Sequence, residues 1–147
     1  MQTPRDLRQL NEPNIQEFLA AIDAPIRRYG GGLSANDEVG RRRTSGYRLR
    51  ACHATLLKRG GAVPNHVHDF GWITAIYFVE TPKQPNARAG WIKFGEPPWA
   101  LAGAGPEHWI EPRAGQIILF PSYFWHGVEP LGESGERVSI TFDIVPA

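Results

Sequence analysis

The sequence predicts a mainly β domain in which about eight short strands close into a sandwich or barrel behind a short N-terminal helical segment. Three observations lead there. Runs such as residues 72–79 and 116–120 are short, β-branched and aromatic, and turn residues bound each of them. Sixteen Gly and thirteen Pro supply strand ends, while five Trp, seven Phe and four Tyr supply a large apolar area for a core. No helical period alternates with the strands, as a parallel sheet would require. At 147 residues the chain has the length of one domain, 1–147, with a helix and loop over 1–46 and the barrel core over 47–147.

Sixteen basic against fifteen acidic residues, a formal net charge of +1, create no global field that would draw nucleic acid or an acidic membrane. Any basic recognition is local. Cys52 is the single cysteine, which precludes an intramolecular disulfide and points to a reducing, cytoplasmic setting. The N-terminal residues are polar and charged, and no apolar run approaches the roughly 18 residues of a spanning helix. The expectation is therefore a soluble protein with neither signal peptide nor membrane anchor.

Residues 14–23 read as a helix whose Ile15, Phe18, Leu19 and Ile22 share one face and pack on the outside of the sheet. Asn14 is the expected N-cap, Glu17 completes a capping box, and Pro25 ends or kinks the helix. Gly30-Gly31-Gly32 opens a polar loop through Gly46, within which Arg41-Arg42-Arg43 reads as a solvated surface rather than a site for phosphate or an acidic substrate. The alternation from Tyr47 to Leu57 fits a long strand or a strand pair. Lys58-Arg59-Gly60-Gly61 is a turn, and residues 72–79 form a central strand buried on both faces. A polar connection over 81–90 leads to strands at 91–94, 108–111, 116–120, 125–129 and 137–145.

The chemistry concentrates in Asn65-His66-Val67-His68-Asp69. Side chains of an extended segment alternate faces, so His66 and His68 project to one side with Cα atoms about 6 to 7 Å apart and can hold one metal ion between them. His126, just after Phe120-Pro121, offers a third imidazole near a strand end. Imidazole, with carboxylate and open coordination positions, suits iron in non-haem oxygenases. His53 and His108 read as ordinary strand histidines. Arg137 lies eleven positions beyond His126, enough for a turn and a return along the neighbouring strand, and Ser139 shares its face. A guanidinium fork beside a hydroxyl suits a terminal carboxylate, and the alternative for Arg137 is a surface pairing with Glu133 or Glu136.

These segments form an ordered set: His66-Val67-His68 with Gly71-Trp72 and Ala75-Ile76-Tyr77-Phe78-Val79, then Gly90-Trp91-Ile92-Lys93-Phe94-Gly95-Glu96-Pro97-Pro98 and Pro112-Arg113-Ala114-Gly115. Leu119-Phe120-Pro121-Ser122-Tyr123-Phe124-Trp125-His126-Gly127 and Arg137-Val138-Ser139-Ile140-Thr141-Phe142-Asp143 complete it. Over roughly residues 50 to 146 the set resembles the 2-oxoglutarate and Fe(II)-dependent oxygenases, most of all the oxygenase domain that often follows tetratricopeptide repeats. The resemblance implies a double-stranded β-helix, a jelly-roll or cupin-like barrel, with Fe(II) near its mouth and 2-oxoglutarate bound to the iron and to an arginine. It also implies a hydroxylase-type dioxygenase that uses O2 and couples oxidative decarboxylation of 2-oxoglutarate to oxidation of a small-molecule or protein side-chain substrate.

Carried over residue by residue, the first ligand falls on His66, the distal ligand on His126, and the carboxylate-binding arginine on Arg137, with Ser139 assisting. Tyr77 is a candidate hydrogen-bond donor to the co-substrate or else a core tyrosine, and Trp72, Trp91 and Trp125 are candidate pocket residues. The superfamily's usual pattern is His-x-Asp or His-x-Glu followed by a distal His. Here the second position is His68, with Asp69 next door as the alternative ligand. Imidazole in place of carboxylate removes one negative charge from the ligand set, which bears on metal preference, co-substrate affinity and catalytic competence.

Two rival readings stand beside this one. A cupin-type three-histidine dioxygenase that works without 2-oxoglutarate fits part of the spacing, but the chain lacks that family's usual Glu after the first motif, and Arg137-Val138-Ser139 is left unexplained. The other is a non-catalytic barrel that retains a metal or carboxylate pocket.

Overall fold

Eight strands form where the β-branched and aromatic runs lie: β1 (Tyr47–Leu57), β2 (Val63–His66), β3 (Ile73–Glu80), β4 (Ile92–Phe94), β5 (His108–Ile110), β6 (Ile117–Pro121), β7 (His126–Val128) and β8 (Arg137–Pro146). This computed structural model describes residues 1–83, 88–133 and 135–147, so residues 84–87 of the polar connection over 81–90 lie outside the described residues. The strands build two antiparallel sheets, a larger one in the order β1-β8-β3-β6 and a smaller one in the order β2-β7-β4-β5. Each sheet interleaves strands from the two ends of the chain, which is the jelly-roll arrangement of a double-stranded β-helix. The expected fold class is the one observed. Among the described residues no helix is long and apolar enough to cross a membrane.

The larger sheet has two different faces. Outward, Ile73 and Ala75 of β3 join Ile140, Phe142 and Ile144 of β8 and a helical layer containing Ile22 and Ile26 in one buried cluster. Inward, Ile76 and Phe78 of β3 meet Phe94, Ile118, Phe120 and Val128 in a second cluster between the sheets. Both faces of β3 are covered, as its continuous apolar run requires.

The helical layer departs from the sequence reading in three places. Its first helix, α1 (Pro13–Ala21), starts at Pro13, whose fixed φ and missing N–H suit the first helical position, and Glu12 rather than Asn14 precedes it without a side-chain cap. Pro25 does not end a helix. It sits in the first turn of a second one, α2 (Asp23–Gly32), where no backbone N–H is needed. The three glycines continue α2 instead of opening a loop, because Ile26 and Gly30 are buried and a Cβ on Gly30 would already lie 3.7 Å from the Trp72 ring. Tertiary packing overrides the poor helix propensity of glycine.

The arginine run serves this layer. Arg43 donates to the carbonyls of Gly30, Gly31 and Leu33 at 3.2, 3.2 and 3.4 Å, satisfying the C-terminal end of α2. Arg41 pairs with Glu38 within the short helix α3 (Glu38–Arg41), and Arg42 reaches the Gly71 carbonyl at 3.5 Å.

β1 is one long strand broken by a bulge. Its register against β8 shifts between Arg50 and Cys52, and Ala51 takes a φ of 49°. Tyr47 and Leu49 before the bulge, and Cys52 and Ala54 after it, therefore face the same helical layer. Strict alternation would have turned the last two away. The Asp6 carboxylate accepts the Cys52 N–H at 3.3 Å, and Arg8 bonds both to Asp6 and to the Leu49 carbonyl, so this pair satisfies backbone groups that the bulge frees.

Hydrogen bonds from Arg8 hold the Asp6 carboxyl at about 2, against an ordinary value of 3.8. A depressed carboxyl stabilises the fold above its unfolded value and loses that contribution as the pH falls through the folded one. Asp6→Asn is accordingly expected to lower the urea midpoint at neutral pH and to flatten its decline between about pH 4 and about pH 2, with the two proteins converging at the acid end.

Candidate active site

β2 and β7 are neighbours, and their register sets His66 directly opposite His126, with Phe94 of β4 on the other side of His126. β2 ends at His66, so His68 lies in the loop beyond it. That loop is held by the His68 N–H, which donates to the Ser122 carbonyl at 2.9 Å in the β6–β7 connection. The two histidines converge as expected, but through this clasp between loops rather than through strand period.

His66 Nε2 and His68 Nε2 are 3.2 Å apart, and one nitrogen from each of His66, His68 and His126 lies within 4.8 Å of the other two. Among the described residues these three alone form a group compact enough to hold a metal ion. Asp69 is exposed on the adjacent turn and is not part of it.

The hydrogen-bond partners fix which nitrogen faces inward. His66 Nδ1 donates to the Pro64 carbonyl at 2.8 Å, His126 Nδ1 to the Phe124 carbonyl at 3.0 Å, and His68 Nδ1 to the Asp143 carboxylate at 2.7 Å. With each proton on Nδ1, three Nε2 lone pairs point at one another. Burial pushes the His126 imidazolium down to about 4, and burial also lowers His66, so both rings are neutral at physiological pH. Lone pairs facing each other repel, and a cation bound by all three removes that conflict. The donor set fits a resident metal ion.

Two glycines permit the approach. A Cβ on Gly127 would fall 2.2 Å from Asn65 Oδ1, and one on Gly71 would fall 2.2 Å from Ser122 Oγ. Asn65 is anchored from outside the barrel by its amide bond to Glu96 at 2.9 Å, and Glu96 is held by Lys93 at 2.6 Å.

Behind His68 runs a buried chain of hydroxyls. Thr74 Oγ1 donates to the same Asp143 oxygen at 2.9 Å, so the Thr74–Ser122 contact of 2.9 Å is donated by Ser122. Thr74 and Ser122 are both buried. Sequence reasoning did not single out Asp143, Thr74, Ser122 or Asn65. Continuing the β8 alternation from Arg137 through Ser139 and Thr141 leads to Asp143 on the same inner face, and that was the available signal.

The histidines open onto a cavity of ≈ 340 Å³ that Arg137, Ser139, Thr55 and Thr141 line together with apolar Leu57, Val63, Ile76 and Val128. Arg137 is 3% exposed. Its Nη1 donates to the Gly90 carbonyl at 2.8 Å, its guanidinium lies 5.7 Å from the Phe78 ring centroid, and its Nε has no partner among the described residues. Glu133 and Glu136, the carboxylates of the surface alternative, pair instead with Arg59 and Lys58. Among the described residues no carboxylate forms an ion pair with Arg137, and burial lowers its pKa to about 10. A buried cation without a counter-charge is costly, and an anionic ligand in the same cavity would relieve it.

Tyr77 is not at this cavity. It lies on the outer face of β3 with its ring centroid 5.3 Å from that of Phe18, because inner positions of β3 fall on Thr74, Ile76 and Phe78. Trp72 also faces the helical layer, where its indole N–H donates to the Val39 carbonyl at 2.7 Å. Trp125 meets Trp99 edge to face at 5.3 Å, and neither it nor Trp91 lines the cavity. His53 and His108 stay outside the cluster, in line with their reading as strand residues.

Residues 51–143, more than half of the chain, match the family described as "Putative 2OG-Fe(II) oxygenase". No curated protein matches the chain in sequence. Among solved structures, a Pseudomonas putida prolyl-4-hydroxylase superposes with a TM-score of 0.65 at 24% identity, over 93% of this chain and 68% of its own. The viral collagen prolyl hydroxylase of Paramecium Bursaria Chlorella virus-1, in its 2-oxoglutarate complex, gives 0.63 at 14% identity over 99% and 78%. Iron-bound HygX from Streptomyces hygroscopicus gives 0.60 at 12% identity over 99% and 72%. These likenesses establish the fold. By its sequence match the chain belongs to the 2-oxoglutarate and Fe(II)-dependent oxygenases, a family of oxidoreductases that use iron and 2-oxoglutarate.

Proposed function

We propose that this chain is a 2-oxoglutarate-dependent hydroxylase in which His66, His68 and His126 hold Fe(II) through Nε2, while Arg137, assisted by Ser139, binds the distal carboxylate of 2-oxoglutarate. The observation that carries it is the pairing, in one cavity, of three converging imidazole lone pairs with a buried arginine that no carboxylate neutralises among the described residues. When bound, Fe(II) with 2-oxoglutarate and O2 supplies oxidative decarboxylation to succinate and CO2 and the oxidation of a substrate C–H bond. The chain's own residues orient and exclude. Leu57, Val63, Ile76 and Val128 shield the guanidinium from water, which strengthens its hold on a carboxylate. A cupin-type site without 2-oxoglutarate would use the same three histidines but has no use for Arg137. We place the enzyme in the cytoplasm, since Cys52 is its single cysteine and is buried and free, so no intramolecular disulfide asks for an oxidising compartment.

For the oxidised substrate we propose a protein side chain rather than a free metabolite. Phe70, two residues after His68, is 70% exposed, and Tyr123 and Phe124, just before His126, are 57% and 42% exposed. The two loops touch through the His68–Ser122 bond, and Arg50 lies 4.8 Å over the Phe70 ring. Exposed aromatics and arginine clustered beside a catalytic mouth have the composition of a protein-recognition surface.

Two experiments follow. Replacing an unpaired buried charge by an apolar side chain of similar length is neutral or stabilising, so Arg137→Met is expected to keep or raise the melting temperature of ligand-free protein while abolishing the upward shift that 2-oxoglutarate gives the Fe(II)-loaded wild type. A variant that still responds to 2-oxoglutarate would return Arg137 to a structural role. For the substrate, succinate release should rise with a peptide library and not with a metabolite mixture, and a Phe70→Ala, Tyr123→Ala double variant should lose that stimulation roughly 10-fold or more while keeping unstimulated turnover. Stimulation by metabolites alone would exclude the protein substrate.

A further inference from the structure

We infer that Asp143 restores, through His68, the negative charge that the usual His-x-Asp or His-x-Glu pattern places directly on the metal. The inference rests on the proposal that His66, His68 and His126 are the ligands.

Three observations support it. First, the partners of the three rings differ in charge. His66 and His126 lean on neutral backbone carbonyls, and His68 alone leans on a carboxylate, Asp143 Oδ1 at 2.7 Å. The charged partner therefore stands behind the one position where the superfamily carries an acidic ligand. Three neutral imidazoles with one carboxylate behind them carry the same net charge as two imidazoles and a carboxylate ligand.

Second, Asp143 is fixed in that role. Its Oδ1 receives both the His68 Nδ1–H and the Thr74 hydroxyl, and Thr74 is held in turn by the buried Ser122 hydroxyl. Asp143 does not belong to the compact metal-holding group, so it acts on the ion through the ring. Third, its charge is not spent elsewhere. Arg50, its partner across β1 and β8, stacks on Phe70, and among the described residues the ion pair of Asp143 is with His68. A carboxylate accepting the Nδ1 proton raises the basicity of Nε2 and strengthens its bond to a cation.

Asp143→Asn separates charge from geometry, because the amide oxygen can still accept from both His68 and Thr74. The probes are Fe(II) titrated anaerobically into the metal-free chain, and 2-oxoglutarate titrated into the protein at saturating Fe(II). Loss of the charge is expected to raise the Fe(II) Kd roughly 10- to 100-fold. Under the same conditions 2-oxoglutarate, itself a dianion, should bind as tightly as before or more tightly. Thr74→Val, which removes one donor and keeps the charge, should raise the Fe(II) Kd less.

Equal Fe(II) affinity in Asp143→Asn and wild type would reduce Asp143 to a hydrogen-bond acceptor and overturn the inference alone. A parallel loss of Fe(II) and 2-oxoglutarate binding would also overturn it, since that pattern marks general damage to the site. Wild-type protein that binds no Fe(II) would sink the ligand assignment, and this inference with it.

Discussion

Three imidazole nitrogens can hold one cation only if each of them is deprotonated there, and much of this structure follows from that constraint. The protons have to go to Nδ1, so each Nδ1 needs an acceptor of its own. Pro64 and Phe124 supply carbonyls from two residues before His66 and His126, and Asp143 supplies a carboxylate from the neighbouring sheet. Desolvation works in the same direction by holding His126 and His66 neutral.

Strands of three or four residues would be weak supports for such a site by themselves. β2 and β7 have those lengths, and a two-strand ribbon of that size is marginal in water. The precision comes from side-chain anchors on the loops. Asn65 is tied to Glu96 and through it to Lys93, and the His68 N–H is tied to Ser122. Gly127 and Gly71 let these anchors close, because a methyl group at either would occupy the anchor's own position. Side-chain bonds thus set the geometry where the ladder is too short to do so.

Much of this was legible in the sequence, and the parts that were not share a cause. Strand positions followed from β-branched runs and turn residues, and His66, His68 and His126 were grouped by same-side spacing and a strand-end location, although a loop clasp rather than strand period brings His68 in. Tyr77 was misassigned because residues 72–79 are apolar on both faces. A strand buried on both sides has no polar alternation to show which parity looks inward. In β1 the parity changes midway at Ala51, a non-glycine residue at φ 49° that nothing local announces and that Asp6 and Arg8 stabilise from far upstream. The α2 glycines misled for a related reason, since their helix is held by Ile26 and Trp72 rather than by intrinsic propensity. The choice between His68 and Asp69 turned on a loop clasp between residues 68 and 122, a contact that strand period does not encode.

β8 unites the two halves of the site. Its inner positions Arg137, Ser139 and Thr141 line the cavity, and Asp143, further along the same face, accepts from His68. Neither charge is compensated in the same way. Asp143 is satisfied by His68 and Thr74, whereas Arg137 has a carbonyl, an aromatic face and an Nε with no partner among the described residues. A buried guanidinium with no carboxylate partner among the described residues is costly to stability, and a bound anion would offset that cost. The same strand that contributes a covered apolar face to the helical layer makes its other face polar through its alternation, with a guanidinium toward one end and a carboxylate toward the other. In the proposed function, the three histidines and Arg137 engage opposite ends of one 2-oxoglutarate molecule, a demand that the histidines alone do not make.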